Sequence, residues 1–270
     1  MSEEKSWFGK VMYRVLEGKE GVREAYDCMA DSYDYSKYLY WTRKMERAEQ
    51  RVFQKWVDGF LGICLDIGCG TGRYSFKITE KGVDVVASDF SLRMLKKLKL
   101  KAKSSGIFRR ISLVLADAEH LPFKERTFNS LICAFAFDHF ENPEGATMEF
   151  SRVLRDGSLC VVSSFNSYTL GDFQRRYGLG NRAPFRTEDM PPTLICEVGH
   201  SEDEIGKMFS KYEFRVEDVK GCSYWHLLPK LEKYYPLAMD SFFNLFKGLL
   251  KYAEIHAVLM RRNARAYLSE

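Results

Sequence analysis

Five histidines and seven cysteines are scattered through the 270 residues with no C-x-x-C pair, no zinc-type spacing and no Asp/His cluster, so nothing in the sequence assembles a metal site. The odd cysteine count argues against a disulfide framework. Cys64, Cys133 and Cys160 lie inside apolar runs, where a thiol behaves as a small hydrophobe, and this fits a reducing compartment. No stretch reaches the ~20 apolar residues that cross a membrane. The opening MSEEKSWFGK lacks the apolar centre of a secretion signal, so the chain reads as soluble and cytoplasmic. Charge of one sign is missing too. The 41 Lys and Arg against 37 Asp and Glu leave only +4, too little to mark a nucleic-acid binder. Glutamine is scarce beside Lys and Glu, a bias shared with heat-adapted proteins.

What is present is a core. The chain is 46% hydrophobic and 14% aromatic, with no segment biased to disorder, no internal repeat and no low-complexity stretch. Residues 63–75, ICLDIGCGTGRYS, organise it. Ile63, Leu65 and Ile67 make a short apolar run, as in a parallel strand buried on both faces. Asp66 stands near its end. Gly68, Gly70 and Gly72 follow at every second position, a spacing that lets the backbone turn tightly and lets a ligand lie on it. Helical spacing resumes over Arg73–Lys81.

The rest alternates in the same way. The first sixty residues read as helical, crowded with Tyr26, Tyr33, Tyr35, Tyr38 and Tyr40. A helix over about Arg43–Phe60 carries Met45, Ala48, Val52, Phe53 and Trp56 on one face. Strands are expected at Val83–Ala87, ending on Ser88-Asp89, and at Ile111–Leu115, Phe128–Phe135 and Leu159–Ser163. Ser91 caps a helix to about Ser104, and Asn142 with Pro143 opens another to about Leu154. Lys96, Lys97, Lys99, Lys101 and Lys103 cluster on the first of these, as a solvated face or a phosphate-binding patch. Residues 166–197 show no period and read as a long insertion, of the kind that forms lids and binding loops. Ser201-x-x-Glu204 is a capping box, for a helix to about Lys211. Glu213–Val219 and Ile255–Arg261 alternate as strands. Between them lies a second insertion, Cys222–Leu250, in which Met239–Leu250 has helical apolar spacing. Strands alternating with helices argue for a doubly wound, mostly parallel sheet. In such a sheet ligands bind at the carboxyl ends of strands where the order reverses. The Gly loop, Asp89 and Asp117 all fall at carboxyl ends. Asp89 lies about twenty residues past the Gly loop, the place of a ribose-binding carboxylate; an ordinary surface Asp before a helix cap is the alternative.

In order and spacing, LDIGCGTGRYS, SDFSLRML, ADAEHLPFKERTFNSLICAFAFDHF and EFSRVLRDGSL resemble the class I S-adenosyl-L-methionine (SAM)-dependent methyltransferases. The likeness is strongest to the branch with the ubiquinone/menaquinone-biosynthesis and many small-molecule enzymes, and it covers roughly residues 60–165. The loop reads G-x-G-x-G, the pattern of that family, rather than the dinucleotide G-x-G-x-x-G. The resemblance implies an α/β, Rossmann-like, seven-stranded fold with N-terminal helices and insertions as a helical cap. One structural domain is expected. Residues 1–60 supply part of its cap, 61–165 the SAM-binding core, and 166–270 the remaining sheet with insertions at about 166–200 and 222–250.

The resemblance also implies roles. Asp66, Gly68, Cys69, Gly70 and Gly72 would hold the amino-acid end of SAM, and Asp89 the ribose. Phe90 would lie against the adenine, with Asp117 or the Ala118 backbone at its amine. Ala134 and Phe135 would pass beneath the sulfonium. Tyr26 and Tyr33, in a segment resembling the family's Y-D-x-x-A-x-x-Y-D, would close over the cofactor carboxylate or simply pack the helices. S-adenosyl-L-homocysteine would be the product.

Methyl transfer from a sulfonium is mostly positioning and exclusion of water. A base is needed only where the acceptor must lose a proton. His139 is the first candidate, with packing as its alternative, and His226 the second. Strand four ends in Ala134-Phe135-Ala136-Phe137-Asp138 rather than the [DNS]-P-P-[YFW] of amino-methylating nucleic-acid enzymes, and Cys133 lacks the Pro-Cys setting of cytosine C5 enzymes. Nucleic acid is therefore disfavoured as acceptor. RNA methylation, or a silent SAM-binding protein, remains the alternative. Tyr168, Phe173, Tyr177, Phe185, Tyr224, Trp225, Phe242, Phe243 and Phe246 make the insertions aromatic, pointing to a small apolar or aromatic acceptor or to a packed cap. The Met239–Leu250 helix, without a strongly basic face, is also a candidate for peripheral membrane contact. Oligomeric state is left open.

Overall fold

A parallel strand must be covered on both faces, and the chain meets that demand by returning through a helix after almost every strand. The computed structural model describes residues 11–224 and 238–264; Trp225 and His226 lie outside them. The described chain begins with β1 (Arg14–Val15), α1 (Gly18–Met29), α2 (Tyr40–Val57), β2 (Ile63–Ile67) and α3 (Arg73–Glu80). It continues through β3 (Asp84–Asp89), α4 (Leu92–Ser104), β4 (Ile111–Leu115), β5 (Phe128–Cys133), α5 (Pro143–Val153) and β6 (Leu154–Phe165). Last come α6 (Ser167–Tyr177), β7 (Arg182–Phe185), β8 (Thr193–Cys196), α7 (Glu202–Ser210), β9 (Phe214–Cys222), α8 (Ala238–Phe243) and β10 (Ile255–Arg262).

Among the described residues seven strands form one sheet in the order β4-β3-β2-β5-β6-β10-β9. β10 alone runs against its neighbours β6 and β9. β2 pairs in parallel with β3 on one side and β5 on the other, so the strand order reverses there. Phe53 and Val57 of α2, Ile78 of α3 and Leu95 and Leu98 of α4 cover one face. Phe150 and Val153 of α5 with Ile205 and Phe209 of α7 cover the other. The caps read from sequence are formed: Met94 N–H donates to Ser91 Oγ at 3.1 Å, Gly145 N–H to Asn142 Oδ1 at 2.9 Å, and the Ser201/Glu204 box is reciprocal.

Three stretches differ from the sequence reading. Residues 166–197 are ordered: Asn166 caps α6, and β7 and β8 form a hairpin whose β8 pairs in parallel with β1. Strands of four residues are too short to show a period. β6 begins at Leu154 rather than Leu159, because a register shift between Phe128 and Ser130 takes the extra residues back into pairing. The single helix expected over Met239–Leu250 is instead α8 and a separate 3₁₀ turn, Lys247–Tyr252. Asn244 ends α8, since its side chain accepts from Gly221 N–H and donates to Gly221 O, both at 2.8 Å, and so is tied to β9.

Candidate active site

The switch point between β2 and β5 opens into a cavity of about 300 Å³, walled by the carboxyl ends of β2, β3, β4 and β5 and by α1, α2 and the turn between them. Its floor is the loop 68–71. Gly68 and Gly70 both have left-handed φ, +61° and +54°. A Cβ on Gly68 would stand 2.3 Å from that of Ala136, whereas one on Gly70 would meet nothing within 4 Å. Gly68 is therefore required by the neighbouring strand end, while Gly70 lays bare backbone to the cavity. Asp66 is fully buried and accepts from the Ser75 hydroxyl at 2.5 Å; burial pushes its carboxyl up to about 7. Asp89 accepts from Gly70 N–H at 2.7 Å and Ser91 N–H at 2.8 Å, and burial outweighs these donors to raise it to about 6.

Of the residues singled out in the sequence, Tyr26, Tyr33, Asp66, Gly68, Cys69, Gly70, Asp89, Phe90, Asp117, Ala118, Ala134, Phe135 and His139 all line this one cavity. Gly72 does not. It precedes α3, and a Cβ there would strike Leu98 and Phe76 at 2.8 and 2.9 Å, so it serves helix packing. Asp117 is already engaged: Lys19 Nζ donates to it at 2.7 Å and Glu119 N–H at 3.0 Å. Burial would raise its carboxyl, but these donors hold it below the usual range. Phe135 adopts φ of +53°, held by its N–H on Ser163 Oγ at 3.1 Å. His139 donates Nδ1–H to the Cys196 carbonyl at 2.8 Å and accepts the Tyr26 hydroxyl on Nε2 at 2.9 Å.

The sequence reading missed two groups of wall residues. Arg73, one place beyond the Gly loop, lies 3.3 Å from both Glu46 and Glu49 of α2 and stacks on Phe135. Its Nη1, and that of Arg43, are buried with no hydrogen-bond partner among the described residues. Thr71 donates to Asp34 at 2.6 Å, and Lys101 reaches Asp34 at 2.8 Å. These partners come from distant segments, and no spacing in the sequence signals them. Conversely, the described aromatic residues of the two insertions do not enclose the cavity. Phe173 packs on Tyr177, Tyr168 on Tyr252, and Phe242 on Phe243 and Phe246; among the described ones only Phe185 approaches, against the His139 ring.

Residues 65–162 match the methyltransferase-domain family. The chain is 35% identical over 161 residues to a demethylmenaquinone methyltransferase of Renibacterium salmoninarum, covering 58% of this chain and 63% of that one. It is 36% identical over 153 residues to an uncharacterised protein of Methanocaldococcus jannaschii, covering 56% and 55%. It thus spans little more than half of the latter relative. The [4+2]-cyclase SpnF shares the fold at a TM-score of 0.62 and 15% identity, over 94% of this chain and 100% of that one. A geranyl diphosphate C-methyltransferase of Streptomyces coelicolor, solved with S-adenosyl-L-homocysteine, aligns at 0.55 and 12% identity over 80% and 79%. Residues 65–162 of the chain are thus a methyltransferase domain. Its Rossmann-like α/β fold is the one these structures share.

Proposed function

We propose that the protein transfers a methyl group from SAM to a small acceptor with an apolar or aromatic body. The cavity suits the donor. SAM carries a carboxylate, an ammonium and two ribose hydroxyls, and the walls offer a partner for each. Arg43, whose buried Nη1 has no hydrogen-bond partner among the described residues, would take the carboxylate beside Arg73, which Glu46 and Glu49 already pair, and Asp66 would take the ammonium. Asp89, whose oxygens each accept one backbone N–H, keeps lone pairs for the ribose hydroxyls. Phe90 and Ala118 would flank the adenine. The Arg43 nitrogen carries the reading most directly, because a buried guanidinium nitrogen without an acceptor is costly until an anion arrives.

SAM supplies an activated methyl group, and the chain's own part is to orient it and exclude water. Phe135, fixed by Ser163 and Arg73, forms an apolar wall beside the Gly loop. Phe140, Tyr33 and Leu39 add further apolar lining, which favours an acceptor with an apolar ring. The quinone-type names of the relatives point the same way. The lysine face of α4 argues against a nucleic acid: Lys97 and Lys101 are paired with Asp31 and Asp34 rather than free for phosphates. Among the described residues no helix is long and apolar enough to cross a membrane. Incubation with methyl-labelled SAM and an extract of the source cells tests the proposal. A labelled small lipophilic product is expected; label in RNA, or no label despite SAM binding, would overturn it.

A further inference from the structure

His139 is set in a buried chain of polar groups that reaches from the hairpin to the cavity. The Cys196 carbonyl can only accept, so the Nδ1 beside it carries the proton and Nε2 is the free base. Two groups face that Nε2. One is the Tyr26 hydroxyl from α1, at 2.9 Å, itself a wall of the cavity. The other is the carboxyl of Glu197, just past β8, at 3.8 Å. Glu197 is 4% exposed, and His139 is its only ionic partner among the described residues. Asp138, in the same turn as His139, points instead to Ser164 and the Phe165 N–H. Burial holds the imidazole below and the Glu197 carboxyl well above their ordinary ranges.

We infer that Tyr26 and His139 form the proton-accepting pair of the site, with Glu197 as the positioning residue behind them, and that the acceptor is a group that gives up a proton on methylation, such as a hydroxyl or an acidic C–H. This rests on the methyl-transfer reading above. The acceptor's X–H electron pair becomes the new bond to carbon. Its proton passes to the Tyr26 oxygen as the Tyr26 proton moves to His139 Nε2. The positive charge lost when the sulfonium becomes a thioether is replaced by that of the imidazolium, so the closed site keeps its net charge. An ionised Glu197 stabilises that imidazolium, and the proton leaves to solvent with the product. An acceptor without a removable proton would have no use for this chain of groups.

The test needs no ligand in its first arm. Nitrogen-15 NMR of the full chain should show His139 neutral at pH 7 with the proton on Nδ1, and Tyr26→Phe should move the Nε2 resonance. A proton on Nε2 would overturn the assignment. In the second arm, methyl-tritiated SAM and source-cell extract measure transfer at saturating SAM. Tyr26→Phe should lower the rate at least about tenfold while changing the Kd for SAM less than about threefold. Wild-type rate should rise with pH as Glu197 ionises, and Glu197→Gln should flatten that rise. Variants that transfer label as fast as wild type, with the same pH profile, overturn the relay alone. A wild type that transfers no label overturns the methyl-transfer reading, and the relay falls with it.

Discussion

The floor and the roof of the cavity are built by different means. The floor is local: strand end, Gly loop and Asp89, in which the backbone of residues 68–70 lines the cavity and Asp89 holds it by the Gly70 N–H. The roof is assembled across the chain. Tyr26 meets His139 over 113 positions, Lys19 meets Asp117 over 98, and Glu49 meets Ser163 over 114. A floor of backbone groups tolerates little change at few positions. A roof of side-chain pairs spreads its stability over many, and each can be removed singly.

The strongest of these links is Glu49. It is wholly buried on α2, accepts from Tyr74 at 2.8 Å and from Ser163, and faces Arg73 at 3.3 Å. Ser163 in turn accepts the Phe135 N–H, so one carboxyl of the roof fixes a strained residue of the floor. Glu49→Ala should destabilise the protein by about 3–5 kcal/mol, the usual cost of stripping a buried charge of its partner, read from the denaturation midpoint. Burial raises Glu49 to about 7, so it is partly protonated at neutral pH, and Glu49→Gln should cost clearly less. Equal losses from the two variants would mean that shape, not the charge pair, joins roof to floor.

Next in size is the floor's own test. Asp89→Ala removes the acceptor of two backbone N–H groups and the proposed acceptor of the ribose hydroxyls. The Kd for SAM measured by calorimetry should rise at least about 100-fold, one to two charge-assisted hydrogen bonds' worth. Unchanged affinity would sink the ribose assignment.

A smaller effect separates the two functions of the floor carboxyls. Asp66 ionises in the folded chain near 7 and Asp89 near 6, while both ionise near 4 when unfolded. Between about pH 4 and 7 the folded chain therefore binds more protons, and stability without ligand falls as pH rises. SAM binding has the opposite sign, because its ammonium and hydroxyls need ionised acceptors. Across pH 6–7.5 affinity should rise roughly tenfold through Asp66, ionising near 7, and only about twofold through Asp89, ionising near 6. Melting temperatures with and without SAM, taken at pH 5 and 7.5, check both signs at once. Parallel trends would show that neither carboxyl touches the ligand.

This asymmetry between floor and roof also explains what the sequence could and could not tell. The strands, the Gly loop and the acids at strand ends were legible because each is encoded within a few neighbouring residues. Asn166 heads a helix that was missed because its capping signal sits in a polar, aperiodic stretch, and β1 is only two residues long. Tyr26 lines the cavity, as a residue expected at the cofactor, but that its hydroxyl also lies on His139 was not legible, because only the fold brings those segments together. Glu197 could not be found at all, since a single glutamate after a four-residue strand has no local signature.

The smallest effect belongs to the outermost contact between the two parts, and it decides whether the roof is held by charge. α4 turns Arg93, Lys97 and Lys101 to one side at intervals of four residues. Facing them, Asp31 takes Arg93 and Lys97 at 2.6 Å each and Asp34 takes Lys101 at 2.8 Å. Asp27 above them accepts the Ser91 hydroxyl at 2.6 Å, so the row runs on to the cap of α4 beside Asp89. The lysines that looked like a solvated or phosphate-binding face are thus in part a seam between α4 and the end of α1. Each pair is half exposed and weak, and salt screens it. Lys97→Glu, which leaves Arg93 on Asp31, should weaken SAM binding less than about threefold, and only at low ionic strength. Adding Asp31→Lys and Arg93→Glu to it, which reverses all three charges, should restore part of the loss by re-forming both pairs in reverse. A loss that persists in 1 M salt, or that the triple variant does not reduce, would mean that packing of Met29, Ala30 and Met94 beneath the seam, not its charges, keeps the roof in place.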